Sequence, residues 1–403
     1  MDRFFYFFEQ GGIDMKKLEF ESTTQEIQRK TLFRNGMVVV TTLIGSGFAS
    51  GQETMQYFTA YGTKGLMGIL LAMLGFAVVT AILLKFGQKF KEKIANEVYD
   101  YFFGRYLGAF TKFYIPFFAF MVGVVMISGA GATMNEYFKI PTWMGTIIMA
   151  ACVLVATFFG LHRLVTITSR VTPITIGFCL FVVLYTFASG DFNFHGVDSI
   201  LENSSHVHYA VGQDTRWWWL SAINYVGVNY VCGIPFFFAL GKYNNSQKEA
   251  KYSGLMGGIL LMITAGLINI ALLGHTELVL SSEIPMLALA NRISFWAGGM
   301  FALIMLEEIF STSASLVWSV TDALTRRKTS QKRERLTMIA VVLAILVGGQ
   351  FPFGKLVNLF YPFTGWLGVV LCFAIIGHGA YDWWLSKSKY TMQDKVQDDA
   401  QSN

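Results

Sequence analysis

Gly36-Met-Val-Val-Val-Thr-Thr-Leu-Ile44 reads as a membrane span, and Gly45-Ser46-Gly47-Phe48-Ala49-Ser50-Gly51-Gln52-Glu53 interrupts it. Three glycines and two serines within seven residues work against a continuous helix. In hydrocarbon, unwound backbone persists only where protein buries it or where it lines a watery cavity. A helix broken at that depth therefore marks a binding site, of the kind found in transporters.

Outward from this stretch the chain is apolar. Of its 403 residues 54% are hydrophobic and 14% charged, and the mean hydropathy is +0.47. An ordinary soluble domain carries about 25% charged residues, so the composition predicts an all-α integral membrane protein. A span needs about 20 mostly apolar residues, and ten segments qualify: 36–60, 65–86, 109–134, 142–160, 164–188, 216–240, 252–273, 293–321, 336–351 and 355–380. The net charge of +5 does not point to nucleic acid, because the basic residues lie in short loops between apolar spans. Cys152, Cys179, Cys232 and Cys372 all fall inside spans and read as packing residues. Neither a metal-ligand cluster nor a nucleophile paired with a base is visible, so an enzyme is not expected. Met15 is an alternative start to Met1.

The basic residues set the orientation. All of the 31 lysines and arginines except Lys64, Lys139, Arg216, Arg292 and Lys355 fall on one side of a ten-span arrangement. Cytoplasmic loops carry that excess, so both termini are predicted in the cytoplasm of a cell-membrane protein. The expected division is a cytoplasmic segment 1–34, a first five-helix repeat 35–188, an extracellular loop 189–215, a second repeat 216–385 and a cytoplasmic tail 386–403. Five spans per half make the two halves face opposite ways. In such inverted repeats the site forms where corresponding helices are interrupted. The counterpart of the first span is the sixth, Ser221-Ala-Ile-Asn224-Tyr-Val-Gly227-Val-Asn229-Tyr-Val-Cys-Gly233-Ile-Pro235, which is expected to be discontinuous too.

Where a helix restarts, its first N–H groups lack partners and its dipole is positive. The amides near Gly45, Ser46, Gly47 and Phe48 are thus candidates to cradle a carboxylate, with Ser50, Gly51 and Glu53 beside them. Unwound carbonyls, and Asn224, Gly227 and Asn229, are candidates to receive an ammonium group. Anion-binding amides beside cation-binding carbonyls suit a zwitterion, and an amino acid is the simplest one. In the eighth span, Glu308, Ser311, Thr312, Ser315 and Ser319 form one polar stripe, with Glu307 turned about 100° away. A mid-span acid costs at least about 2.5 kcal/mol, so Glu308 is assigned to proton or Na⁺ coupling, with Ser311, Thr312 and Ser315. Arg34 and Asp322 are a candidate inner gate. No cofactor is expected beyond a coupling Na⁺ or H⁺; the partners are a small-molecule substrate and the lipid bilayer.

The motif from Gly45 to Glu53, the ten spans and the acidic eighth span resemble the YkvI-like membrane proteins. These form an amino-acid permease family within the amino acid–polyamine–organocation superfamily. The resemblance implies a LeuT-like five-plus-five fold, a carboxylate held at Gly45-Ser46-Gly47-Phe48, and sodium ligation at Ser311 and Thr312. Glu53 and Glu308 depart from the commonest permease pattern and favour a cationic substrate or proton coupling. Two function classes follow. One is a secondary transporter for an amino acid or a related small amine. The other is a ligand sensor on the same fold, similar to the permease-like subunits of spore germinant receptors.

Overall fold

The computed structural model describes residues 28–90, 98–158, 162–190, 192–204, 207–325 and 330–401. The segment through 27, including Met1 and Met15, and Arg326-Arg327-Lys328 lie outside the described residues, as do the side chains of Arg163, Arg170 and the tail 386–403. The described residues are helical and connected by turns. In chain order they are α1 (Arg29–Leu43), α2 (Ser46–Ala49), α3 (Gln52–Tyr57), α4 (Lys64–Lys89), α5 (Val98–Phe138), α6 (Thr142–Phe158), α7 (His162–Ser189), α8 (Val197–Asn203), α9 (Trp218–Gly241), α10 (Gln247–Leu273), α11 (Thr276–Leu280), α12 (Pro285–Ile293), α13 (Phe295–Thr325), α14 (Gln331–Gly348) and α15 (Phe353–Gln401). Among the described residues six helices are long and apolar enough to cross a bilayer by themselves: α4, α5, α9, α10, α13 and the apolar part of α15. Shorter apolar helices occupy Thr142–Phe158 and Ile174–Ser189.

Two groups of helices form the body. In the first, α4 packs along α9 and α10, and α1 lies on α10. Small residues permit this close approach: Gly254 and Gly258 of α10 press on Ala81 and Ala77 of α4. In the second group, α13 packs on α5, and α6, α7 and α14 surround that pair. The last helix, α15, touches α9 of the first group and α5 of the second. Gly104, at φ +68°, bends α5 near its start.

The first helix is broken twice. Ile44 and Gly45 are extended, α2 makes a single turn, and Gly51 at φ +80° reverses the chain into α3. A side chain at Gly51 would also meet Met286 Cγ at 2.8 Å, so only glycine fits both the conformation and the space.

The expected second interruption is absent. α9 runs unbroken from Trp218 to Gly241, through both asparagines, both glycines and Pro235. Pro235 has no N–H, so the Val231 carbonyl four residues earlier loses its helical donor. The Tyr99 hydroxyl of α5 supplies one at 3.2 Å, which is how the helix continues past the proline. Asn229 Nδ2 donates back to the Tyr225 carbonyl at 2.9 Å. Gly227 serves packing, because a Cβ there would lie 2.3 Å from the Gly365 carbonyl oxygen. These residues satisfy or pack a continuous helix.

Candidate functional site

The chain is most open to chemistry at α2. The N–H groups of Ala49 and Ser50 bond back to the carbonyls of Gly45 and Ser46. No acceptor meets the N–H groups of Gly45, Ser46, Gly47 and Phe48 among the described residues. Four successive unpaired amides place positive potential at this point. Gly45 is exposed, and a side chain there would meet open space, whereas residues 46–61 are buried.

Neighbouring helices hold the break in shape. Ser46 Oγ lies 2.7 Å from Met126 Sδ on α5. Ser50 Oγ donates to the Gly47 carbonyl at 2.7 Å and accepts the Gln52 N–H at 3.1 Å, joining α2 to α3. The Met286 N–H of α12 donates to the Ser50 carbonyl at 3.0 Å.

Glu53 turns back from α3 onto the break. Its Oε1 lies 2.1 Å from the position a Gly47 Cβ would take, so its carboxyl fills the space that glycine leaves. Its Oε2 accepts from the Tyr225 hydroxyl at 3.4 Å. Around it stand Tyr57, whose hydroxyl donates to Asn224 Oδ1 at 3.2 Å, and Tyr361, whose hydroxyl is 3.4 Å from the Gly47 Cβ position. Asn224 Nδ2 donates to the Pro362 carbonyl at 2.9 Å, tying α3, α9 and α15 together. Glu53 has no cationic partner among the described residues.

Glu308 belongs to α13, which also packs on α2. It is 6% exposed, and its Oε1 accepts from Thr175 Oγ1 of α7 at 2.9 Å. One turn along α7, Cys179 Sγ reaches the Ala49 carbonyl at 3.8 Å. One face of α7 thus touches both the acid and the break. Ser311 Oγ donates to the Glu308 carbonyl at 2.9 Å and Ser315 Oγ to the Ser311 carbonyl at 2.8 Å, so both hydroxyls keep lone pairs free to accept. Ser311, Thr312 and Ser315 are half-buried, while Ser313 is fully buried and its Oγ has no partner among the described residues. Glu307 Oε2 is also buried without a partner among the described residues. Arg34 makes no ion pair with Asp322 among the described residues, and its Nε points to Asn35 Oδ1 at 3.4 Å. Both side chains are half-buried on separate helices, and Asn35 provides the nearer acceptor.

The profile of the spore germination protein family, Spore_permease, matches residues 31–347, from α1 through α14. The chain belongs to this family. As a spore germination family member it is similar to YkvI of Bacillus subtilis strain 168, an uncharacterized membrane protein. The two are 24% identical over 343 residues, covering 83% of this chain and 94% of YkvI. Among solved structures it is similar to the Eremococcus coleocola manganese transporter in complex with an aromatic bis-isothiourea substituted compound, with a TM-score of 0.55 and 16% identity, covering 87% of this chain and 80% of that one. It is also similar to MhsT in complex with L-phenylalanine, with a TM-score of 0.54 and 13% identity, covering 88% of this chain and 89% of that one. At these identities the likeness establishes the LeuT-type fold and nothing finer.

In this family member the residues expected from sequence fall into separate groups. Gly45, Ser46, Gly47, Phe48, Ser50, Gly51 and Glu53 meet at the break, and Asn224 reaches it through Tyr57. Gly227 and Asn229 are engaged with α15 and with their own helix. Sequence reading missed Tyr57, Tyr225, Tyr361, Thr175 and Cys179. Tyr225 stood next to Asn224 in the quoted sixth span; the others carried no local signal, because their relevance comes from helices far apart in the chain.

Proposed function

We propose that this protein is a secondary transporter for an amino acid or a related small amine, driven by H⁺ or Na⁺ across the cell membrane. One observation carries the reading: a row of four amides without an acceptor among the described residues, at a break buried from Ser46 onward, faced by an intramembrane carboxyl without a cationic partner among those residues. The amides from Gly45 to Phe48 hold the substrate carboxylate. Glu53 turns from Gly47 to the substrate ammonium, and the tyrosines around it shape the pocket. Glu308, linked to the break through the Thr175–Cys179 face of α7, carries the coupling proton; Ser311 and Thr312 are the oxygen ligands if the ion is Na⁺. The ten spans form two inverted halves of five, with both termini cytoplasmic. The group α1, α4, α9 and α10 rocks against α5 and α13, exposing the break to each side in turn.

The test is uptake of labelled L-amino acids into proteoliposomes under an imposed Na⁺ or H⁺ gradient. Concentrative uptake is expected. Glu308→Gln is expected to abolish gradient-driven uptake while the folded protein remains in the membrane. Normal driven uptake by that variant sinks the coupling role of Glu308.

A second reading is favoured by the family description: a sensor that binds an amino acid on the same fold and signals to separate partner chains. Folded protein that is thermally stabilised by an amino acid, yet takes up none under either gradient, selects the sensor.

A further inference from the structure

Breaking the first helix removes a block of successive helical hydrogen bonds. The Ile44 N–H still reaches the Val40 carbonyl at 3.0 Å, and the pattern resumes with the Ala49 N–H on the Gly45 carbonyl at 2.9 Å. Each bond missing between them leaves two loose ends: an amide at Gly45, Ser46, Gly47 or Phe48, and a carbonyl at Thr41, Thr42, Leu43 or Ile44. Those carbonyls, like the amides, have no partner among the described residues. The backbone of the break is thus complementary to a zwitterion by itself. Its amides suit a carboxylate, and its carbonyls can take the three N–H donors of an α-ammonium group.

Glu53 is left over from that match. It is 8% exposed and aimed at Gly47, in the middle of the break. Its Oε2 takes the Tyr225 hydroxyl, and its Oε1 accepts no hydrogen bond among the described residues. Tyr361 brings its hydroxyl to the same Gly47 position, and that hydroxyl also makes no hydrogen bond among the described residues. The Tyr57 and Tyr225 rings lie 4.9 Å apart beside it. A carboxyl among tyrosine rings attracts a cation through its charge and through the π-systems. A plain zwitterion held by the backbone leaves Glu53 a buried charge without a counterion; a ligand with one more positive group cancels it. A diamine without a carboxylate leaves the amides unmatched. Glu308 is the less available acid, because Thr175 already holds its Oε1.

We infer that Glu53 receives a cationic side chain, so that the break selects α-amino acids with basic side chains, the lysine and arginine class. The assignment rests on the amino-acid reading above and deepens it. The positive group that Glu53 meets belongs to the substrate's side chain, while the carbonyls at the end of α1 hold the α-ammonium.

The test measures binding of labelled ligands to the full chain in lipid nanodiscs. The ligands are L-arginine, its uncharged isostere L-citrulline, agmatine, which keeps the guanidinium without the carboxylate, and L-leucine. Arginine is expected to bind at least about tenfold more tightly than citrulline, and more tightly than agmatine. Glu53→Gln is expected to bring arginine down to the level of citrulline and to leave citrulline unchanged. Equal binding of arginine and citrulline to the unaltered protein overturns the assignment without any variant, as does binding of leucine but not of arginine; both results leave the break as an amino-acid site. Agmatine binding as tightly as arginine overturns the amino-acid class in favour of a simple amine. In Glu53→Gln, an equal loss of arginine and citrulline puts Glu53 on the α-ammonium, and an undiminished preference for arginine moves the selection to another group; either overturns the role given to Glu53. Binding of no amino acid at all overturns the proposed function and this assignment with it.

Discussion

Gly47 and Glu53 are one unit at the residue scale. The Glu53 carboxyl occupies the volume that a Gly47 side chain would need. Gly47→Ala must therefore push the carboxyl away, at a cost of about 1–3 kcal/mol. Most of that cost is expected to vanish in a Glu53→Ala background, where the clash partner is gone. Thermal unfolding of the two single variants and the double variant measures the coupling; additive effects contradict the packing described here. Sequence alone justified the glycine by unwinding and close approach. That its immediate neighbour is the acid six residues later emerges from the reversal at Gly51.

Two predictions belong to single elements. Tyr99 is buried and gives its hydroxyl to the carbonyl that Pro235 orphans in α9. Tyr99→Phe is expected to destabilise the protein by about 1–2 kcal/mol. In a Pro235→Ala background the restored N–H satisfies Val231, so the same Tyr99→Phe change should cost little. An equal loss in both backgrounds, read from thermal midpoints, rejects this account. The second prediction concerns the turn between α11 and α12. Burial raises the Glu283 carboxyl above its ordinary value, although the Phe353 N–H and nearby Lys355 pull it down. The folded chain therefore holds this proton more tightly than the unfolded chain. Its stabilising contribution is full below the ordinary glutamate value and is lost as pH rises through the raised one. Glu283→Gln should flatten that part of the stability-versus-pH curve. An unchanged slope would move the pH dependence to other groups.

For the whole molecule, charge asymmetry makes a topological prediction. In a cysteine-free chain, Lys355→Cys should react in intact cells with a maleimide that cannot cross membranes. Gly45→Cys, which faces open space at the break, should react only after the membrane is opened. The reverse pattern would invert the orientation and with it the direction of uptake. Composition, charge asymmetry and the Gly-Ser-Gly break were sufficient to establish a helical membrane protein whose first helix is broken, because hydrophobicity and glycine's backbone freedom are local properties. The continuity of α9 was not legible. Its glycines and proline read locally as a break, while the Tyr99 hydroxyl and the backbone of α15, far away in the chain, make an unbroken helix affordable. The tyrosines around Glu53 likewise depend on which helices meet. Sequence determined that the chain is a helical membrane protein and where its first helix must unwind; tertiary packing decided which buried polar groups found partners, because a hydrogen bond at membrane depth is settled by the neighbouring helix.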